Sequence, residues 1–115
     1  MWIAVLGSVK LFPNLVAAIK GVFNRVLTTL RLDGNRIGAE GAKAIAEALK
    51  VNAVLTSVDL QLNSIGDDGA KAIAEALKVN AVLTKLDLEY NSMGDAGKKA
   101  LQDAVKGRSG FVLEL

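Results

Sequence analysis

The chain has 115 residues, 51 % of them apolar and 23 % charged, with a formal net charge of +2. That is the composition of one globular domain, away from disorder, and so small a charge gives no ground for nucleic-acid binding. No residue is Cys or His, which excludes disulfides, thiolate chemistry, Cys/His metal sites and imidazole-based triads; the lack of cysteine fits a cytoplasmic setting.

The chain opens on the apolar run MWIAVLGSV, which Lys10 ends. A secretory signal places its charge ahead of the apolar run, and a membrane helix needs about 20 apolar residues, so neither a signal nor a membrane partner is expected. Two organisations fit residues 1–26. Leu6-x-x-Val9-x-Leu11-x-x-Asn14-x-Val16 has the form of a strand followed by a turn, a degenerate version of the unit that follows. Alternatively residues 1–23 form apolar helices that cap the domain, with Trp2 closing its core.

From Leu27 onward a pattern recurs. Leu27-x-x-Leu30-x-Leu32-x-x-Asn35-x-Ile37 is followed by Leu55-x-x-Val58-x-Leu60-x-x-Asn63-x-Ile65 and by Leu83-x-x-Leu86-x-Leu88-x-x-Asn91-x-Met93. The segment GAKAIAEALKVNAVLT occurs twice without change, at 41–56 and 69–84. Leu30 and Leu32 alternate with Thr29, Arg31 and Asp33, which predicts a short strand with one buried face. Ala42, Ile45, Ala46 and Leu49 fall at i, i+3, i+4 and i+7, one stripe of a helix. Gly38 and Gly41 are expected where the backbone packs too closely for a side chain. Asn35, Asn63 and Asn91 stand where each strand bends away, placed to bond backbone groups that leave the ladder. Asn24, Asn52 and Asn80 follow each helix and are expected in the left-handed conformation that ends helices. Lys43/Glu47 and Lys71/Glu75 are expected to pair across one turn on the solvated face, and Asp67-Asp68 to favour a helix dipole.

L-x-x-L-x-L-x-x-N-x-I followed by G-x-x-G-A-x-x-[IL]-A-x-A-L resembles the leucine-rich repeat, in its ribonuclease-inhibitor-like class. The resemblance covers residues 27–110 and implies an α/β solenoid, a horseshoe arc with a concave parallel β-sheet and convex α-helices. It also implies a non-enzymatic module that binds a protein partner on the concave face. The whole chain, 1–115, then reads as a single domain: residues 1–26 as above, repeats at 27–54, 55–82 and 83–110, and a truncated final strand at 111–115. No polar cap is evident after Val105.

No catalytic constellation, phosphate loop, metal site or cofactor motif is present in the sequence, so no enzyme activity is expected. Outward strand positions stack in columns: Lys10, Arg31, Asp59, Asp87 and Glu114, beside Phe12, Asp33, Gln61 and Glu89, beside Pro13, Gly34, Leu62 and Tyr90. One end is basic and the other acidic. The partner-binding residues expected on this face are Arg31, Asp59, Gln61, Leu62, Lys85, Asp87, Glu89 and Tyr90, and the partner expected is a protein with a basic segment rather than a nucleic acid. Phe111, Val112, Leu113, Glu114 and Leu115 form an edge with no covering helix, suited to a homodimer. The alternative reading is a structural or self-assembling repeat unit, either a fragment of a longer array or an engineered consensus scaffold.

Overall fold

A computed structural model of the protein describes residues 2–5 and 27–115. The Leu6–Val16 ladder, the column places of Lys10, Phe12 and Pro13, Asn24 and the side chain of Trp2 lie outside the described residues. In chain order the elements are β1 (Trp2–Val5), β2 (Leu27–Arg31), α1 (Gly38–Val51), β3 (Ser57–Asp59), α2 (Gly66–Val79), β4 (Lys85–Asp87), α3 (Asp95–Val105) and β5 (Val112–Glu114). The five strands form one parallel sheet ordered as they occur in the chain. Each of the last three connections crosses back through a helix, as parallel pairing requires. Among the described residues no helix is long and apolar enough to cross a membrane.

Register follows the leucine ladder: Leu30 pairs with Val58, Val58 with Leu86, and Leu86 with Leu113. Leu30, Leu32, Val58, Leu60, Leu86 and Leu88 are buried from the sheet side, and Ile45, Leu49, Ile73, Leu77 and Leu101 meet them from the helices. Packed helices stand about 8–10 Å apart and strands about 4.8 Å apart, so stacking the two together bends the array into an arc with the sheet inside. The first rung needs a correction. The ladder places Val9 opposite Leu30, but Ala4 stands there, and Val5 stands opposite Arg31. The run Trp-Ile-Ala-Val, rich in residues that favour strands, fills that slot.

Asn63 is fully buried and holds the bends together. Its Nδ2 donates to the carbonyls of Leu32, Leu60 and Gln61 at 2.9, 3.0 and 2.9 Å, and its Oδ1 accepts from the backbone N–H of Asn35 at 2.7 Å. Asn91 repeats the arrangement one unit on, donating to Leu60, Leu88 and Glu89 and accepting from Asn63 N–H. The helix N-termini use the same step: the N–H of Gly38 donates to the Asn63 carbonyl and that of Gly66 to the Asn91 carbonyl, each at 2.8 Å. For α3 the bond runs the other way. Asp67 Oδ1 reaches over from α2 to accept from Gly94 and Gly97 at 2.7 and 3.1 Å. Asp67 therefore does more than favour its own helix dipole.

Three further expectations are revised. Asn52 and Asn80 are extended, at φ −80° and −78°, not left-handed. Their side chains are buried. Each Oδ1 turns the chain by accepting two backbone N–H groups, from Val54 and Leu55 or from Val82 and Leu83. Gly38 and Gly66 have open space where a Cβ would stand, and their φ of +70° and +68° is what requires glycine. Close approach governs Gly69 instead, where a Cβ would fall 2.5 Å from Ile65 Cγ2 and 3.0 Å from Ala42 Cβ. On α1 and α2 the surface ion pairs form at i,i+3, Lys43 with Glu40, Lys50 with Glu47 and Lys78 with Glu75, and an i,i+4 pair forms on α3, Lys99 with Asp103. Finally, Arg108 stands one repeat past Asn80 and takes over one of its bonds. It donates to the Leu77 carbonyl as Asn80 does to that of Leu49, donates also to Leu83, and lies 4.8 Å over the Phe111 ring.

Leu60→Ala should cost about 2–5 kcal/mol, whereas Gln61→Ala, on the open face, should change stability by roughly 0.5 kcal/mol or less. Asn63→Ala should cost about 1–3 kcal/mol by stranding buried backbone groups, and Asn63→Asp should not restore it, because the donors are lost. Asn35→Ala should cost less than Asn63→Ala, since Asn35 is only part-buried and its side chain bonds two carbonyls. Urea melts of the five variants check the ranking.

Candidate functional site

Helices cover one face of the sheet, and the other face carries the outward side chains of each strand. Register stacks them in columns. Thr29, Ser57, Lys85 and Val112 form one, and Arg31, Asp59, Asp87 and Glu114 form the next. Asp33, Gln61 and Glu89 follow two residues further along each strand. The structure therefore brings together the expected residues Arg31, Asp59, Gln61, Lys85, Asp87 and Glu89. It adds Thr29 and Ser57, which share Lys85's repeat position and were passed over because small hydroxyls at a strand start carry no signal of their own. Thr29, Arg31, Ser57, Asp59, Lys85 and Asp87 line a shallow hollow of about 250 Å³.

The charges on this face are unequally matched. Arg31 lies 3.5 Å from Asp33 and 3.9 Å from Asp59, and Lys85 lies 3.8 Å from Glu114. Asp59 is further occupied by Gln61, whose backbone N–H and Nε2 both donate to it. Asp87, expected in the open, is only 7 % exposed. Its Oδ1 accepts from Glu89 N–H at 3.0 Å. Burial raises its pKa above the usual carboxylate range; the Glu89 N–H offsets this in part, while a hydrogen bond shared with Glu114 and the charges of Glu114 and Asp59 add to it. Carboxylate oxygens of Asp87, Glu89 and Glu114 lie within 4.8 Å of one another. Such a group can be bridged by a cation, whether an ion or the charged end of a lysine or arginine.

Leu62 and Tyr90 stand at the rim of the face, 58 % and 72 % exposed. Their φ angles are +57° and +58°, and the same repeat position in the unit before holds Gly34 at +72°. A large side chain in the left-handed region is strained relative to glycine. Tyr90 also borders a second hollow of about 280 Å³, shared with Leu88, Glu89, Met93, Lys98 and Leu115. The edge group Phe111, Val112, Leu113, Glu114 and Leu115 forms and flanks β5. Val112 N–H donates to Thr84 and the Glu114 carbonyl accepts from Leu88, so both face β4. Alternation along a parallel strand turns the peptide groups of Leu113 to the outer edge.

A family model described as leucine-rich repeat matches residues 23–46, 51–74 and 79–101. No curated protein matches the chain. Among solved structures, "Leiomodin-1 Actin-Binding Site 2 (ABS2)" is similar, with a TM-score of 0.78 and 28 % identity over 91 % of this chain. The match spans 61 % of that chain's length.

A raised pKa in the folded state makes ionised Asp87 a destabilising group. The penalty is full above its folded pKa and disappears as pH falls through that value toward the ordinary one. Asp87→Asn keeps the oxygen that accepts from Glu89 and removes the charge. It should therefore stabilise the protein at pH 7, with the advantage shrinking as the pH is lowered into the carboxylate range. Thermal melts of both proteins across pH 3–7, read against the ordinary carboxylate pKa near 4, check the direction and the window.

Proposed function

The chain belongs to the leucine-rich repeat family, and from that premise we propose that it is a non-enzymatic protein-interaction module of the ribonuclease-inhibitor-like class. Its partner docks on the open, concave face of the sheet. Residues of that face, Arg31, Asp59, Gln61, Lys85, Asp87 and Glu89, meet a basic segment of the partner, and Leu62 and Tyr90 anchor it. One observation carries this reading. Two large apolar side chains are held in solvent at left-handed backbone positions where glycine would be easier, at the rim of the face that carries Asp59, Asp87 and Glu89. Strain kept at an exposed position points to a use for the side chain, and aromatic and aliphatic anchors beside complementary charge are what protein interfaces are built from. The similar solved structure is an actin-binding site of leiomodin-1, which makes actin the first defined protein to assay.

Binding of actin, and of a panel of arginine- and lysine-rich peptides, should be compared between the wild type and a variant with Asp59 and Glu89 changed to lysine, Asp87 being left in place because it is buried. The variant should keep its circular dichroism spectrum and lose the binding. The wild-type affinity should fall as salt rises, because exposed charges are screened beyond about 8 Å at physiological ionic strength. A partner that binds the reversed variant equally well places the interface elsewhere. Leu62→Gly and Tyr90→Gly separate anchor from scaffold: each should leave the fold intact, with backbone strain relieved, while weakening the same binding.

The outer edge of β5 favours a second reading. Among the described residues β5 has a neighbour on one side only, and an open edge templates pairing with another chain. A homodimer through this edge would join Phe111–Leu115 to its symmetry mate and bring two Glu114 side chains together, a contact eased by high salt. Sedimentation velocity at micromolar concentration checks it. Leu113→Pro, which alters the outward-facing peptide, should shift any dimer toward monomer, and a wild type that is monomeric at every salt concentration removes this reading.

A further inference from the structure

The spacing of the open face carries information about the shape of what docks on it. We infer that the bound segment is an α-helix lying across the strands, along the axis of the array, with cationic side chains one turn apart; this rests on the docking face proposed above. Asp59, Asp87 and Glu114 are register neighbours on three consecutive strands. With strands about 4.8 Å apart, the column from Asp59 to Glu114 spans about 9.6 Å. A helix offers side chains at i, i+3 or i+4, and i+7 on one face, spanning about 10.5 Å. An extended segment offers alternate residues, and three of them span about 13 Å. The misfit is then about 1 Å for the helix and about 3.4 Å for the extended chain.

Two further observations agree. The peptide groups of β3 and β4 are engaged in the ladder with the strands on either side. The face therefore presents side chains, and the backbone of an extended segment lying on it would find few partners. A helix satisfies its own backbone groups. Leu62 and Tyr90 are also one repeat apart, parallel to the acidic column, and so meet the apolar flank of the same helix at successive turns. The face has a polarity as well, Arg31 at one end and Glu114 at the other. The positive N-terminal end of the helix dipole belongs over Asp87 and Glu114, and the C-terminal end over Arg31.

Three acetylated and amidated peptides of identical composition test this, each alanine-rich with three arginines and two leucines. One has its arginines at i, i+4 and i+7 with the leucines on the adjoining stripe. The second spreads the arginines around the helix, and the third places them at alternate positions. Binding is read by fluorescence anisotropy at low salt, against the wild type and an Asp59→Lys/Glu89→Lys variant whose fold is checked by circular dichroism. The one-face peptide should bind the wild type at least about tenfold more tightly than either permutation. It should gain helicity on binding and lose its advantage on the variant. Equal affinity of all three for the wild type, with all three weakened on the variant, overturns the helical register and leaves the docking face standing. Equal affinity that the variant does not change overturns both.

Discussion

A buried asparagine amide ties each repeat to the next. Asn63 is completely enclosed and satisfies carbonyls from two consecutive strands while accepting an N–H from the first. Such a group is costly to bury alone, and acceptable only because every part of it is bonded. Among the described residues no buried side-chain nitrogen or oxygen lacks a partner. The tight bend that sends the chain from strand to helix depends on that amide, because the bend takes backbone groups out of the ladder and a hydrophobic side chain could not receive them. Asn80 performs the same service at the return, donating to the Leu49 and Asn52 carbonyls of the preceding unit. The leucines fill the space between these two lines of amides, and the amides determine where each layer sits.

Much of this architecture was legible before any coordinates. The period of two at Leu30 and Leu32 and the period of three to four at Ala42, Ile45 and Leu49 give strand and helix, because burial of one face is what those periods record. The asparagines announced themselves by recurring in register. What could not be read was whatever depends on a neighbour one layer away. Asn52 and Asn80 resemble helix terminators in the chain, yet their amides are buried between layers. Gly38 looks like a packing glycine and is a conformational one. Asp67 looks like a local dipole partner, and its second role becomes visible only when Gly94 and Gly97 are stacked beside it.

The open face was legible as columns and less so as chemistry. Alternation along each strand sorts Arg31, Asp59 and Asp87 to one side, and register sets them beside one another. Burial of Asp87 escaped that reading because alternation and register place a side chain on a face without saying how far its neighbours cover it. The strain at Leu62 and Tyr90 was hidden for a related reason: backbone angles are set by the bend, and the bend is set by the asparagine that follows each of them. The first two units differ chiefly at the outward strand positions and the residue just before each amide, whereas the third departs in the interior as well, with Leu101 for Ile73, Val105 for Leu77 and Arg108 for Asn80.

The duplicated segment carries a consequence for how the chain finds its structure. Residues 41–56 and 69–84 are chemically indistinguishable, so during folding either could settle into the other's layer with native-like local contacts, a degenerate pair of addresses. Discrimination falls to the residues outside the duplicate. Ala39 precedes the first copy and Asp67 the second, and only a carboxylate at that place can receive the N–H groups of Gly94 and Gly97. Past the second copy, Arg108 rather than asparagine closes over Leu77 and Leu83. A chain threaded one layer out of step would leave those donors unsatisfied, so these two charged residues act as the address labels of an otherwise anonymous pair. Kinetic trapping by such misthreading is the hazard that sequence identity between neighbouring repeats creates, and divergence between them is its remedy.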